Sequence, residues 1–253
     1  MATQAKRVEI NCDMGEGFGR WKMGPDEELM KVIDVANVAC GFHAGDPSIM
    51  LKTVRLAKQN GVRVGAHPSF PDLGGFGRRR MEIDPEDMYA MILYQVGSLN
   101  AILKSEGMEL NHVKPHGQLY FYVHQDAGIR DAVIRAVATF GVPIMGLPHS
   151  VIRETCAKYG VELIPEYFPD IEYDAAGQHV PVAKCRPVNG DVVKERIHSF
   201  ATDGCATTAD GVKVDLGFGD VSSATFSICI HSDLPTALDN ASGARAAVDE
   251  LFA

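Results

Sequence analysis

No two of the six cysteines in this 253-residue sequence stand at the C-x-x-C spacing of a redox or zinc pair. Cys12, Cys40 and Cys229 lie inside apolar runs, so free, buried thiols are expected. Basic residues are also scarce. Against 33 Asp and Glu there are 24 Lys and Arg, a formal charge of −9. That balance argues against a nucleic-acid surface, which needs a basic excess; the short run Arg78-Arg79-Arg80 does not supply one. No stretch approaches the ~20 apolar residues of a membrane span, and residues 1–7 carry no apolar signal region before the first strand. A cytoplasmic location is therefore expected, in keeping with free thiols. Three catalytic words are missing too: the Gly-Lys-Ser/Thr ending of a phosphate-cradling loop, the H-E-x-x-H zinc helix and the G-x-S-x-G nucleophile elbow. With no internal repeat, low-complexity tract or linker, one domain is expected over residues 1–253.

What is present is ample material for a core, with 46% hydrophobic and 23% charged residues. Short apolar runs at residues 8–12, 35–40, 62–66, 112–114, 142–147, 161–164 and 225–230 read as strands covered on both faces. Helices fit between them. Asp46-Pro47, Asp84-Pro85 and Asp233-Leu234-Pro235 each offer a capping carboxylate before a proline suited to the first turn. Further helices are expected over 125–140, 150–159 and 190–203. Continuous strand–helix alternation predicts a parallel sheet. About seven units with no break favour a closed β/α barrel, with an open doubly wound sheet as the alternative. Residues 166–189 form the longest irregular stretch and suggest a functional excursion.

Parallel α/β folds place their sites at the C-terminal ends of strands. There this sequence sets Asn11 and Asp13 followed by Glu16, then Asn37 leading to His43, then His67, Lys114 with His116, Glu166, and His231 with Asp233. One such group is often a cap or a satisfied core side chain. Many at one rim, in a partly desolvated mouth, cost free energy and mark a functional site. The turn Gly74-Gly75-Phe76-Gly77-Arg78-Arg79 adds backbone N–H groups and guanidinium suited to a carboxylate or phosphate.

Four blocks carry a resemblance. They are Asn11-Cys12-Asp13-Met14-Gly15-Glu16-Gly17-Phe18-Gly19; Ala36-Asn37-Val38-Ala39-Cys40-Gly41-Phe42-His43-Ala44-Gly45-Asp46; Gly65-Ala66-His67-Pro68-Ser69 running to Gly75-Phe76-Gly77-Arg78-Arg79; and Val113-Lys114-Pro115-His116-Gly117-Gln118-Leu119-Tyr120. Together they resemble the LamB/YcsF family of lactam-utilisation proteins. The resemblance implies a single seven-stranded β/α barrel of the glycoside hydrolase/deacetylase type. It also implies the A component of a 5-oxoprolinase, which with B and C subunits hydrolyses the small lactam 5-oxo-L-proline to L-glutamate with cleavage of ATP. Three positions depart from the family pattern: Ile171 and Val182, where arginines are usual, and Ser232 in place of glycine.

On that reading ATP is bound largely by, or together with, one of those partners. Asp13 or His67 is the expected base for water. Lys114 and His116 would stabilise charge on the carbonyl oxygen. Arg78 or Asn37 would hold the substrate carboxylate, with Asn11, His43, Glu166 and His231 as further substrate contacts. Two other readings stand beside it: a metal-dependent amide hydrolase with a divalent ion on Asp13, His43 and His67, and a non-catalytic binding component.

Overall fold

The computed structural model describes residues 7–252; residues 1–6, which make up most of the segment searched for a signal region, lie outside them. Seven parallel strands close a barrel in the order β1 (Val8–Met14), β2 (Val35–Ala39), β3 (Arg63–His67), β4 (Leu110–Val113), β5 (Ile144–Gly146), β6 (Leu163–Tyr167) and a last strand that pairs with both β6 and β1. Between β6 and that strand the chain makes an antiparallel hairpin, β7 (Cys205–Thr207) and β8 (Lys213–Asp215), outside the barrel, so the closing strand is β9 (Phe226–Ile230). The closed barrel is thus the observed architecture, and the open sheet is not.

Helices α1 (Asp26–Leu29), α2 (Pro47–Asn60), α3 (Pro85–Ser105), α4 (Gly117–Gln125), α5 (Ala127–Ala138), α6 (Ser150–Tyr159), α7 (Gly190–Asp203) and α8 (Ala237–Leu251) accompany the strands. Asp46 and Asp84 cap α2 and α3 as the Asp-Pro words predict, accepting from Ser48 and Ile49, and from Glu86. Asp233 does not cap. Helix α8 begins three residues after Leu234 with Thr236 at its N-cap, and the Asp233 carboxylate instead pairs with Arg78 at 2.8 Å. The helix expected over 125–140 is α5, and a further helix that was not expected, α4, runs directly before it. Asp126 ends α4 and caps α5 by accepting from Ile129 N–H, a break that hydrophobic spacing alone does not reveal.

The strands are buried on both sides, but their two faces differ in chemistry. Val8, Ile10, Cys12 and Met14 of β1 join the apolar core. The alternate residues Glu9, Asn11 and Asp13 are also buried, and they enter the barrel, as period-two geometry requires. Register carries this across the sheet. Asp13 lies beside Asn37, Ala39 beside His67, Asn11 beside Cys229, and Glu166 beside Ser227. The interior is therefore filled by a polar network in place of the usual layers of branched aliphatic side chains.

Candidate active site

The network rises through the barrel in steps. At its base Arg63 pairs with Glu9. Above them Asn11 Nδ2 donates to Glu166 Oε1 at 3.1 Å and to Ser227 Oγ at 2.7 Å. Asn37 Nδ2 donates to Asn11 Oδ1 at 2.7 Å and to Asp13 Oδ1 at 2.8 Å, and His112 Nε2 donates to Asn37 Oδ1 at 2.6 Å. Space for the His112 ring comes from Gly65, where any Cβ would stand 2.0 Å from His112 Cε1.

At the mouth, Lys114 Nζ donates to Asp13 Oδ1 at 3.0 Å, to Asn11 Oδ1 at 3.1 Å and to Cys229 Sγ at 2.8 Å, with Glu166 Oε1 at 3.5 Å. All three ammonium hydrogens are thereby engaged. Burial opposes the Lys114 charge, yet Asp13, Cys229 and Glu166 raise its pKa well above the ordinary value. Burial likewise opposes the Asp13 charge, and the charges of His67 and Lys114 hold its carboxyl well below the usual range. Glu166 goes the other way: burial raises it, against the pull of Lys114. Asp13 and Lys114 thus form a buried ion pair at the foot of the cavity.

The histidines follow. His67 Nδ1 donates to the Lys114 carbonyl at 2.7 Å, and His116 Nε2 donates to the Phe76 carbonyl at 2.8 Å. Carbonyls only accept, so each ring carries a hydrogen on that nitrogen. The other two nitrogens, His67 Nε2 and His116 Nδ1, are hydrogen-bonded to one another at 2.9 Å. Asp13 Oδ2 lies 3.3 Å from His67 Nε2. Glu16 Oε1 lies 3.4 Å from His116 Nδ1 and 3.1 Å from His43 Nε2. The His43 ring stacks on His116 with centroids 3.7 Å apart. Burial lowers His43 to about 3 and His116 well below its ordinary value, and burial with the Asp13 charge raises Glu16 to about 8.

A cavity of about 300 Å³ opens above, with Asp13, His67, Arg78, Lys114, His116 and His231 among its lining residues. Its walls are Phe121, Phe168, Ile171, Val180, Pro181 and Val182. The irregular stretch 166–189 supplies most of them, so it is one side of the site. Of the predicted residues, Asn11, Asn37 and Glu166 sit below the cavity as the network that fixes Asp13 and Lys114. His43 lies behind His116, and His231 is held by Asp170 at 3.1 Å.

Two expectations change. The Gly-rich turn is no open anion cradle. Gly75 N–H and Gly77 N–H donate to Asp72, Arg79 is paired with the Asp72 carboxylate, and Arg78 is paired with Asp233. Its Phe76 carbonyl orients His116 instead. The metal set Asp13, His43 and His67 is not the one that converges. Among the described residues, Glu16, His43, His67 and His116 bring ligand atoms within 4.8 Å of one another, as separately do Asp13, Cys229 and His231. The sequence assigned no site role to Glu16, His112, Cys229 or Asp170. For Cys229 a signal existed: Ser227, Cys229 and His231 alternate with Phe226, Ile228 and Ile230, which sets them on the inward face.

Residues 8–251 match the model of the LamB/YcsF family. The chain is 43% identical over 250 residues to lactam utilization protein lamB of Emericella nidulans, covering 99% of this chain and 97% of that one. It is 44% identical over 248 residues to the A component of 5-oxoprolinase from Pyrococcus horikoshii, covering 96% and 94%. The crystal structure of a lactam utilization protein from Thermus thermophilus superposes with a TM-score of 0.85 at 39% identity, over 96% of each chain.

Proposed function

The chain belongs to the LamB/YcsF family, and from that membership we propose that it is the hydrolytic A component of an ATP-driven 5-oxoprolinase, converting 5-oxo-L-proline to L-glutamate with B and C subunits. The observation that carries the reading is the buried Asp13–Lys114 pair with His67 and His116, at the foot of a cavity sized for a small ring. A five-membered lactam resists hydrolysis because its amide is resonance-stabilised and because the opened amine sits at high effective concentration beside the new carboxyl group. Transfer of the ATP γ-phosphate to the amide oxygen at a partner's nucleotide site weakens the C–N bond and makes phosphate the leaving group.

Water held beside Asp13 and His67 then adds to the activated carbon, and one of the two takes its proton. The ring C–N bond breaks, the nitrogen takes a proton, and a second water cleaves the resulting glutamyl phosphate to glutamate and phosphate. Lys114 has no spare hydrogen for the substrate; its positive charge acts through space, and it holds Asp13 in place. Arg78, at the rim, keeps guanidinium edges beyond its contact with Asp233 for the substrate carboxylate. The test is release of glutamate and phosphate from 5-oxo-L-proline and ATP. The two products are expected in equal amounts when all three components are present. Comparable glutamate release by the isolated chain without ATP would overturn the coupling.

A further inference from the structure

We propose that Tyr120, backed by Glu166, is the proton relay for the ring nitrogen of the lactam. This role rests on the lactam reading above and supplies a proton carrier that the ring opening requires. Two polar atoms point to it. Tyr120 is 6% exposed and lines the cavity, and its hydroxyl has no hydrogen-bond partner among the described residues. Glu166 is fully buried. Its Oε1 accepts from Asn11 and lies 3.5 Å from Lys114 Nζ, while its Oε2 is likewise without a partner among the described residues. Buried polar atoms are nearly always satisfied in folded proteins, and a catalytic role is one of the few reasons to leave them open. The two side chains are neighbours: burial, and next the Glu166 charge, hold the Tyr120 pKa well above its ordinary value.

Packing, not hydrogen bonding, fixes the Tyr120 ring. Phe168 meets it edge-on with centroids 5.8 Å apart, and His179 stacks on it at 5.6 Å. Asp13 and His67 belong to β1 and β3, whereas Tyr120 lies in the first turn of α4 and Glu166 on β6, so water and ring nitrogen have separate carriers. The chemistry uses the relay twice. Phosphorylation of the amide oxygen forms an O–P bond, breaks the bond from the γ-phosphorus to ADP and turns the amide into a C=N imidate, so the N–H proton must leave. Tyr120 Oη takes it as its own proton passes to Glu166 Oε2. Burial raises the Glu166 pKa, which makes this group a better proton acceptor than an ordinary carboxylate. When the C–N bond breaks, its electron pair goes to nitrogen and the stored proton returns by the same route. The water that added supplies the other amine protons, and the relay ends the cycle as it began.

The test is steady-state turnover of 5-oxo-L-proline and ATP by the full chain assembled with B and C subunits, as parent, Tyr120→Phe, Glu166→Gln and the double variant. The Tyr120 hydroxyl makes no hydrogen bond in the fold, so Tyr120→Phe is expected to keep the parent's urea midpoint. Its kcat for glutamate release falls by about 10²–10⁴-fold, while KM changes by no more than about tenfold, the worth of one neutral hydrogen bond. Glu166→Gln gives a comparable fall in kcat. The double variant is no worse than the poorer single one, since members of one relay fail together, whereas a merely structural Glu166 makes the losses multiply. Full activity of Tyr120→Phe, a lowered midpoint, a loss confined to KM or multiplying losses would each overturn the relay. If Glu166→Gln does not fold, the kcat of Tyr120→Phe decides alone. An inactive parent complex overturns the lactam reading and the relay with it; an active parent beside an equally active Tyr120→Phe overturns the relay only.

Discussion

Lys114 is the side chain on which the polar interior converges, and its removal separates structure from chemistry. Lys114→Met leaves Asp13 and Glu166 buried together without their cation, which costs about 3–5 kcal/mol of folding stability. Urea unfolding measures that loss, and turnover of the assembled complex falls to background. Lys114→Arg does not rescue either quantity, because a planar fork cannot meet three acceptors gathered around one nitrogen. Asp26 gives a pH signature. Its Oδ2 accepts from Gly15 N–H at 2.9 Å, beside Glu16, and burial pushes its pKa from 3.8 up to about 6. A carboxyl raised on folding contributes stability that is complete below its ordinary pKa and lost as pH climbs through the folded value. Asp26→Asn keeps an acceptor for Gly15 and removes that loss. Unfolding curves at successive pH values should show the variant gaining on the parent between about pH 4 and 6, with a constant difference above. Residue types at strand ends made Asp13, His67, Lys114 and His116 legible in the sequence. The role of Glu16 escaped, since it lies two residues beyond β1 and only the curl of that loop brings it to His43.

Among the elements, β3 and the turn after it are the least forgiving. Gly65→Ala drives a methyl group into the His112 ring, which cannot retreat while Asn37 holds it at 2.6 Å. Destabilisation of about 1–3 kcal/mol or more is expected from denaturant midpoints. Gly77 has φ +64°, and its Cβ would meet Ser69 Oγ at 2.2 Å and His116 Cδ2 at 2.9 Å. Gly77→Ala therefore tilts His116 and should reduce kcat more than it raises KM. The strands and the α2, α6 and α7 boundaries could be read from periodicity and from caps. The start of α8 could not, because Asp233 serves Arg78 across the mouth, and nothing local in sequence reports a long-range ion pair. The hairpin β7–β8 escaped for a similar reason, its strands being three residues each and partly exposed.

Taken whole, the barrel was foreseeable from alternation, while the polar filling of its interior was not, because hydrophobic strand patterns are normally read for the outer face. Closure depends on the last strand: β9 pairs with β1 and with β6, and no earlier strand can substitute. A chain ending at residue 224 should fail to unfold cooperatively, a loss that calorimetry would register as the absence of a single transition.

The bonds from Asn11 to Glu166 and to Ser227 join residues 155 and 216 positions apart. During synthesis, then, the amino-terminal half emerges with Asp13, Lys114 and most of the site's histidines, but without the β6 and β9 side chains that complete the network. Contacts of such separation form late and slowly. A nascent or clipped chain is thus inert by construction: whatever this protein does to its substrate waits until β9 has left the ribosome and sealed the ring.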